Sequence, residues 1–245
     1  MIKDGYDEIF EIKYSDKDQN LALKPFALLN YLQDIAVNNA EDMGFGYSYM
    51  TPRHLGWYLI KYRMEFIKYP VNLEKIKVRT KSRGYNKLFA YRDFELYVED
   101  ELIARIASLW AIVNFDTKSM LPIVSVFEGF DNLGPYEKED DDLIFSKLKA
   151  SDAPQNTKEF EVRYDDIDTN GHANNGHYIV WALETLDFDF RSKHTIKTID
   201  MYFKKEACYG EKILSELTFK DNLNTLHVLK NENNEELLLL ECTWN

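Results

Sequence analysis

The sequence predicts an α+β fold made of two copies of one unit, a helix followed by antiparallel strands. The first observation is an internal repeat: Phe10-Glu-Ile-Lys-Tyr-Ser-Asp-Lys-Asp-Gln-Asn20 and Phe160-Glu-Val-Arg-Tyr-Asp-Asp-Ile-Asp-Thr-Asn170 lie 150 residues apart. Eight of their eleven positions are identical or conservatively replaced. The second observation is that each copy leads through a polar loop into an apolar helix and then into runs rich in β-branched and aromatic residues.

The first unit begins with an alternating strand and enters its helix near Pro25, a residue suited to a first helical turn. Gly44 and Gly46 end this helix. Its predicted apolar stripe consists of Leu28, Leu32, Ile35, Ala36 and Ala40. Four strands are expected after it, at Trp57 to Phe66, Lys75 to Ser82, Leu88 to Val98 and Leu102 to Phe115.

The second unit repeats this order, with a helix from about Asn175 and four further strands. These are predicted near Thr195 to Lys205, Lys212 to Phe219, Thr225 to Asn231 and Glu236 to Thr243. The predicted domains are therefore residues 1–120, a connector over 121–158, and residues 159–245. The connector carries the acidic run Glu137 to Asp142, interpreted as a solvated surface, and a short helical turn is expected at Asp142 to Lys149.

The polar loop before the second helix concentrates carboxylate, amide and imidazole groups. In an extended backbone alternate side chains share a face, so these groups are expected to project to one side. They are Asp166, Asp168, Asn170 and His172. Asn174 and Asn175 are good N-caps, and the helix N-terminus would direct unpaired N–H groups at the same place, which suits a developing oxyanion.

Composition limits the class of protein. A content of 45% hydrophobic residues supports a real core, and the net charge of −12 argues against nonspecific binding of nucleic acid or anionic membranes. The N-terminal residues contain no signal or import leader, so a cytoplasmic location is expected. Cys208 and Cys242 are expected to be free thiols. No metal is expected, because His172 and His177 are five residues apart and no second cluster of ligands exists.

A helix wrapped by an antiparallel sheet, present twice, is the tandem or double hotdog architecture. Within this pattern Asp166-Ile-Asp-Thr-Asn-Gly-His-Ala-Asn-Asn-Gly-His-Tyr-Ile-Val-Trp-Ala-Leu-Glu184 resembles the signature of the acyl-acyl-carrier-protein thioesterases. The resemblance covers nearly the whole chain, and Ser108-Leu-Trp-Ala-Ile-Val-Asn-Phe-Asp116 and Tyr202-Phe-Lys-Lys-Glu206 add to it. Plant members of this family carry a transit peptide, and this sequence shows no such leader. A bacterial form of the family is therefore expected.

The resemblance implies an active constellation of Asp168, Asn170, His172 and Glu206. The repeat supports this set, because the first copy keeps Asp16, Asp18 and Asn20 but has Ala22 where His172 stands. Aligning Lys75 with Lys212 places Tyr69 opposite Glu206. The second half is therefore expected to cleave the substrate while the first half lines an acyl tunnel.

The expected chemistry is hydrolysis of a fatty acyl thioester. Glu206 is assigned as general base for water, His172 and Asn170 position water and carbonyl, and Asp168 orients His172. Backbone donors come from the helix start around Asn174 and Asn175. Direct attack by a carboxylate remains an alternative. Some relatives have a cysteine directly after the glutamate, but here Ala207 stands there and Cys208 follows, which argues against a cysteine nucleophile.

The partner implied by the resemblance is an acidic acyl carrier protein, and a homodimer is expected from the family. Basic residues near the second helix are candidates for docking this partner: Arg191, Lys193, Lys204 and Lys205. No cofactor is expected. The alternatives are hydrolysis of acyl-coenzyme A, a noncatalytic acyl-binding protein, and a hotdog dehydratase acting on 3-hydroxyacyl substrates. Chain-length preference depends on tunnel depth, which the sequence does not define.

Overall fold

The computed structural model describes residues 2, 4–127 and 133–245. Met1 and Lys3 of the predicted first domain, and residues 128–132 of the predicted connector, lie outside the described residues. In the first half the helices are α1 (Pro25–Asp42), α2 (Tyr47–Met50) and α3 (Ile123–Val126). The strands there are β1 (Tyr6–Glu11), β2 (Leu55–Phe66), β3 (Lys75–Tyr85), β4 (Phe89–Val98), β5 (Glu101–Asn114) and β6 (Ser119–Leu121).

The second half contains helices α4 (Asn175–Leu183) and α5 (Phe188–Lys193). Its strands are β7 (Asn156–Glu161), β8 (Ile196–Phe203), β9 (Lys212–Asp221), β10 (Asn224–Asn231) and β11 (Glu236–Trp244). All eight strands predicted after the helices are present, with ends within three residues of the predicted bounds. Runs rich in β-branched and aromatic residues were therefore a sufficient signal for these strands.

The strands form one antiparallel sheet in the order β1-β3-β4-β5-β2-β8-β11-β10-β9-β7, with β6 paired to β5 at one side. Read outward from the centre, each half has the same order, since β2 and β8 are equivalent, as are β5 and β11, β4 and β10, β3 and β9, and β1 and β7. The two halves join where β2 pairs with β8, from Lys61 opposite Tyr202 to Glu65 opposite Thr198. The predicted duplication is confirmed by this topology.

Helices α1 and α4 pack against each other and against the same face of the sheet. Leu28, Leu32, Ile35 and Ala36 of the predicted stripe join residues of α4 and the strands in one core. Helix α1 begins at Pro25 as predicted and ends before Gly44, whose φ of 84° places it in the left-handed region that favours glycine.

The second helix is half as long as the first for a local reason. Helix α1 has 18 residues and α4 has 9, although their first residues, Pro25 and Asn175, occupy equivalent positions of the repeat. The Thr185 hydroxyl donates to the Ala182 carbonyl at 2.6 Å, and the Asp187 side chain accepts from the Phe190 N–H. Asp187 thus caps a new helix, α5, and the chain turns there instead of continuing.

The connector covers the outer face of the sheet. Tyr136 stacks on Tyr91 with ring centroids 3.9 Å apart, and Phe145 packs on a cluster that includes Ile60 and Leu109. The expected helical turn at Asp142 to Lys149 is absent. The Ser146 hydroxyl instead donates to the buried Asp200 carboxylate at 2.9 Å. Packing of Phe145 against the sheet favours an extended segment over a local helix.

The acidic run in the connector is not simply solvated, which corrects the interpretation from sequence. Asp142 is largely buried and binds Arg83 at 2.9 Å, and Glu139 lies 3.1 Å from the same guanidinium. Asp141 binds Arg105 at 3.1 Å. Since these arginines project from β3 and β5, the carboxylates fasten the connector to the sheet.

Candidate active site

The polar loop of the second half is held by its own carboxylates. The Arg163 N–H and guanidinium both donate to Asp166, at 2.8 Å and 2.7 Å, and His177 Nδ1 lies 3.3 Å away. Burial alone would raise the pKa of Asp166, but the hydrogen bonds from Arg163 outweigh it and hold the pKa below its usual value. Asp166 is fully buried and anchors the loop, whereas 31% of the His172 side chain is exposed to solvent.

Residues 168–172 form a tight turn, which corrects the expectation of an extended loop. The Asp168 N–H donates to the His172 carbonyl at 2.8 Å, and the Gly171 N–H donates to the Asp168 carbonyl at 3.0 Å. The Asp168 carboxylate accepts the Asn170 N–H at 2.8 Å. Gly171 has a φ of 80°, which favours glycine. The side chains of Asp168 and Asn170 are therefore placed by a turn and not by strand alternation.

The first half contains the same turn. Asp18 N–H donates to the Ala22 carbonyl at 2.8 Å, and the Asp18 carboxylate accepts the Asn20 N–H at 2.8 Å. Leu21 takes the left-handed conformation there, with a φ of 60°. Because both halves use the aspartate in this way, Asp168 has a structural role in the turn. Its carboxylate accepts a hydrogen bond from the Asn170 N–H. The prediction from the sequence was that Asp168 orients His172.

The side chains of His172 and Glu206 are in contact, as the family resemblance implies. His172 Nε2 lies 3.3 Å from Glu206 Oε2, with 31% of the His172 side chain and 42% of the Glu206 side chain exposed. His172 Nδ1 is buried and has no hydrogen-bond partner in the described part of the chain. An imidazole beside a carboxylate, both open to solvent on one side, can exchange protons with a bound molecule.

Backbone hydrogen bonds confirm which positions of the two halves correspond. The Ala173 N–H donates to the Ala207 carbonyl at 2.8 Å, and the Leu23 N–H donates to the Pro70 carbonyl at 2.9 Å. Ala22 and Tyr69 thus occupy the places of His172 and Glu206. The Tyr69 hydroxyl donates to the Leu23 carbonyl at 2.8 Å and fills its site as a structural group. Only the second half has retained the acid–base pair.

The pKa of Glu206 is raised above its usual value. Burial is the largest cause, and the nearby Asp168 carboxylate also raises it, while His172 and Lys118 lower it. Lys118 lies in the turn between β5 and β6, so a cation of the first half contributes to the electrostatic surroundings of Glu206 in the second. Lys118 was not among the residues predicted from the sequence, because its influence on Glu206 arises only when the two halves fold together.

The start of α4 is capped as predicted. The Asn174 side chain accepts the Gly176 N–H at 2.7 Å, and the Asn174 N–H donates to the Asp166 carbonyl at 2.8 Å. The His177 N–H donates to the Asn174 carbonyl at 2.9 Å. Among residues 4–127 and 133–245 no atom accepts a hydrogen bond from the Asn175 N–H, so this N–H is a backbone donor left at the helix start.

A cavity of about 250 Å³ lies beside the loop. Thr169 and Asn170 of the second half line one side, and the rest of its wall comes from the first half. Apolar and aromatic side chains form much of this wall, among them Ala36, Ala40, Met50, Trp57 and Trp110. Such a lining suits an acyl chain, and Asn170 links the cavity to the turn that carries His172.

The cavity also has polar groups. Arg92 is buried and donates to Asn39 at 2.7 Å and to Thr80 at 3.1 Å. Burial lowers the pKa of Arg92 to about 10. Gln33 Oε1 is buried without a partner among the described residues. These groups give the apolar cavity a few defined hydrogen-bonding positions.

The four cations predicted to dock a carrier protein are each paired with a carboxylate of this chain. Arg191 lies 3.3 Å from Glu184, and Lys193 lies 3.3 Å from Asp189. Lys204 binds Glu236, and Lys205 binds Glu235. A partner would have to compete with these internal carboxylates for each cation. The docking assignment stays a prediction.

Neither cysteine has the surroundings of a nucleophile. Cys208 is exposed, and burial of its thiol together with the charges of Glu211 and Glu206 raises its pKa. Cys242 is fully buried. Both are free thiols, as predicted. A raised pKa keeps the Cys208 thiol protonated and poorly nucleophilic. Over the described ranges no group of three or more histidine, cysteine or acidic side chains could hold a metal ion.

The fold and the site define a tandem hotdog protein in whose second half a histidine contacts a glutamate. Residues 3–127 match the acyl-ACP thioesterase N-terminal domain, and residues 149–245 match the acyl-ACP thioesterase C-terminal domain. The chain therefore belongs to the acyl-ACP thioesterase family.

Plant relatives are similar over most of this chain. An oleoyl-acyl carrier protein thioesterase of Arabidopsis thaliana chloroplasts is 25% identical over 242 residues, which is 91% of this chain and 66% of the relative. An oleoyl-acyl carrier protein thioesterase of Coriandrum sativum is 25% identical over 236 residues, or 89% of this chain and 64% of the relative. The chain thus spans slightly less than two thirds of the length of these relatives.

Solved structures confirm the double hotdog fold. An acyl-ACP thioesterase from Bacteroides thetaiotaomicron superposes with a TM-score of 0.85 at 22% identity, covering 98% of each chain. A 12:0-ACP thioesterase from Umbellularia californica gives a TM-score of 0.87 at 19% identity, covering 100% of this chain and 98% of the other. Within the described residues no helix is long and apolar enough to cross a membrane.

Proposed function

We propose that this protein hydrolyses the thioester of fatty acyl-acyl carrier protein to a free fatty acid and the thiol of the carrier, in fatty-acid synthesis. The observation that carries this proposal is the contact of His172 Nε2 with Glu206 Oε2 at 3.3 Å, beside a turn that opens onto an apolar cavity. Family membership and the plant relatives named for this activity support it.

In the proposed reaction Glu206 accepts a proton from water, and the oxygen of that water attacks the thioester carbon. The carbon–sulfur bond then breaks, and the proton passes through Glu206 or His172 to the departing thiolate. His172 and Asn170 position the water and the carbonyl. The Asn175 N–H, at the positive end of α4, stabilises the oxyanion. Asp168 supports the site through its hydrogen bond to the Asn170 N–H.

A raised pKa fits the proposed base. A carboxylate with a higher pKa is a stronger base, so burial of Glu206 improves its capacity to take a proton from water. Direct attack of Glu206 on the thioester is the alternative. That route forms an acyl anhydride on Glu206, which mass spectrometry of an acid-quenched single turnover would detect on the peptide containing this residue.

The acyl chain is proposed to lie in the cavity of the first half, which matches the division of labour inferred from the repeat. Docking of the carrier protein is proposed on the predicted set Arg191, Lys193, Lys204 and Lys205, together with Lys118, the cation that acts on Glu206. A cytoplasmic location and a homodimer are proposed on the family resemblance alone.

The test is thiol release from matched acyl-carrier-protein and acyl-coenzyme A thioesters of several chain lengths. Preferential hydrolysis of the carrier-protein thioesters is the expected result. Hydrolysis of coenzyme A thioesters alone would contradict the assigned carrier. Loss of water from a 3-hydroxyacyl thioester that itself stays intact would contradict hydrolysis and indicate a dehydratase.

A further inference from the structure

The Tyr178 hydroxyl touches the backbone on both sides of Glu206. The Ala207 N–H donates to this hydroxyl at 2.7 Å, and the hydroxyl in turn lies 3.5 Å from the Lys205 carbonyl, which it faces as a donor. Both Tyr178 and Ala207 are buried. We refer to the Tyr178 hydroxyl with these two backbone groups as the Tyr178 bridge. It ties α4 to the segment that presents the proposed general base.

The backbone before and after Glu206 has other hydrogen bonds, since the Lys204 and Lys205 N–H groups donate to the Leu237 carbonyl at 2.8 Å and 3.4 Å and the Cys208 N–H donates to Glu211 at 3.2 Å. The bond from the Ala207 N–H is the one that joins this segment to the Tyr178 hydroxyl of α4. Strand β8 ends at Phe203, so Glu206 lies outside regular secondary structure. The Ala173 N–H bonds the Ala207 carbonyl, which leaves the Ala207 N–H to Tyr178 alone. The tyrosine ring is itself fixed, since it packs edge-on against Phe203 with centroids 5.7 Å apart. The Tyr178 bridge therefore connects α4 to the backbone on either side of Glu206.

The other half of the chain lacks the bridge. By the offsets that align the two halves, Leu28 stands at the place of Tyr178 and Pro70 at the place of Ala207. Leucine has no hydroxyl, and proline has no backbone N–H to donate. The hydroxyl and its donor are absent from the half that also lacks the histidine and the glutamate. Simple folding of a hotdog unit consequently does not require this contact.

We propose that Tyr178 is a positioning residue for catalysis, holding Glu206 at its distance from His172 through hydrogen bonds to the neighbouring backbone. The proposal rests on the proposed function of Glu206 as general base. Tyr178 does not touch the substrate in this account. Its loss should therefore lower the rate of the chemical step and leave substrate binding nearly unchanged.

The experiment compares Tyr178→Phe with two matched variants in steady-state hydrolysis of an acyl thioester. Tyr69→Phe removes a tyrosine hydroxyl that bonds the Leu23 carbonyl in the other half, and Tyr62→Phe removes a buried hydroxyl that has no partner among the described residues. The expected result is a fall in kcat of about 10- to 100-fold for Tyr178→Phe with little change in KM. Both control variants should keep kcat. A kcat for Tyr178→Phe equal to that of Tyr69→Phe would overturn the proposal.

A double variant separates positioning from general loss of structure. In the Glu206→Gln background, adding Tyr178→Phe should have almost no further effect on kcat, because the group being positioned is already gone. Full additivity of the two losses would contradict the proposal. If Tyr178→Phe fails to fold, Ala207→Pro removes the same hydrogen bond with the residue that the other half carries. Wild-type kcat in Ala207→Pro would also overturn it.

Failure of the positioning role is distinguishable from failure of the proposed function. Wild-type activity in Glu206→Gln would remove Glu206 from the mechanism and the bridge with it. An inactive Glu206→Gln together with a fully active Tyr178→Phe would leave the proposed function in place and refute the role of Tyr178 alone.

Discussion

His172 and Glu206 lie 34 residues apart in the sequence, and their side chains meet with Nε2 3.3 Å from Oε2. The contact forms because the end of the polar loop bonds to the segment after β8, through the Ala173 N–H and the Ala207 carbonyl. The same backbone bond in the first half brings Ala22 and Tyr69 together. The same backbone hydrogen bond thus accompanies a histidine and a glutamate in one half and an alanine and a tyrosine in the other.

Removing the carboxylate of the pair should abolish most turnover. Glu206→Gln keeps the shape of the side chain but removes the base, so kcat should fall by about 10²- to 10⁴-fold. Because 42% of the side chain is exposed, the free energy of unfolding should change by no more than about 0.5 kcal/mol. His172→Ala should behave in the same way. Measured rates near wild type in either variant, with folding intact, would contradict the assigned roles.

The two equivalent aspartates offer a matched pair of substitutions. Asp168→Asn and Asp18→Asn weaken the same hydrogen bond in the same turn, to the Asn170 and Asn20 N–H groups. Each should cost about 1 kcal/mol of unfolding free energy, the usual net contribution of a hydrogen bond. Only Asp168→Asn should lower kcat, because only that turn carries His172. A kcat for Asp168→Asn no lower than that for Asp18→Asn would contradict a catalytic role of the Asp168 turn.

The acid side of the pH–rate profile should reflect the raised pKa of Glu206. Since the base must be ionised, kcat/KM should rise with pH through a midpoint above the usual pKa of a glutamate. Several groups contribute to its surroundings or sense its charge: His172, Asp168, Lys118, Tyr58, Tyr178 and Cys208. Lys118→Met removes a cation that lowers the pKa, so the midpoint should move to higher pH. A shift to lower pH would contradict this electrostatic assignment.

Protein stability should depend on a histidine remote from the site. His227 is fully buried between Thr185 and Thr225, and burial lowers its pKa to about 3. Below about pH 6.5 His227 binds a proton in the unfolded chain but stays neutral in the folded chain. The free energy of unfolding therefore decreases as the pH falls below that value. Between pH 7 and pH 5 this loss is about 2 kcal/mol.

Urea unfolding of the wild type and of His227→Gln at both pH values measures this effect. The pH-dependent loss should shrink in His227→Gln, because the amide does not titrate, although the variant is less stable overall. An unchanged dependence in His227→Gln would refute the prediction.

Cavity size should determine the acyl chain length. Ala36→Leu adds side-chain volume to the wall and should shift preference toward shorter chains, while Met50→Ala should shift it toward longer ones. Each substitution should also cost about 1–5 kcal/mol of stability, because both residues are buried. Competition between acyl thioesters of different lengths measures the shifts. Identical profiles in both variants would place the acyl chain elsewhere.

Much of the fold was predictable because its signals are local. Runs of β-branched and aromatic residues located the strands, Pro25 and Gly44 marked the limits of α1, and Asn174 marked the start of α4. The repeat added long-range information, since an offset of 150 residues identified His172 as the residue that one half has and the other lacks. The alignment of Glu206 with Tyr69 followed from a second offset.

The remaining features depend on contacts between distant segments. Lys118 reaches Glu206 only across the junction of the two halves, and the carboxylates of Glu139, Asp141 and Asp142 find Arg83 and Arg105 only after the sheet has formed. The Asp168 turn was missed because periodicity says nothing about a turn with a glycine at positive φ.

The most direct test of the central account is thiol release from acyl-acyl carrier protein by the wild type and by Glu206→Gln at equal concentration. We predict rapid release of thiol and free fatty acid by the wild type, and a rate lower by at least about 100-fold for Glu206→Gln. Equal rates for the two proteins would show that the pair formed by His172 and Glu206 is not the catalytic centre.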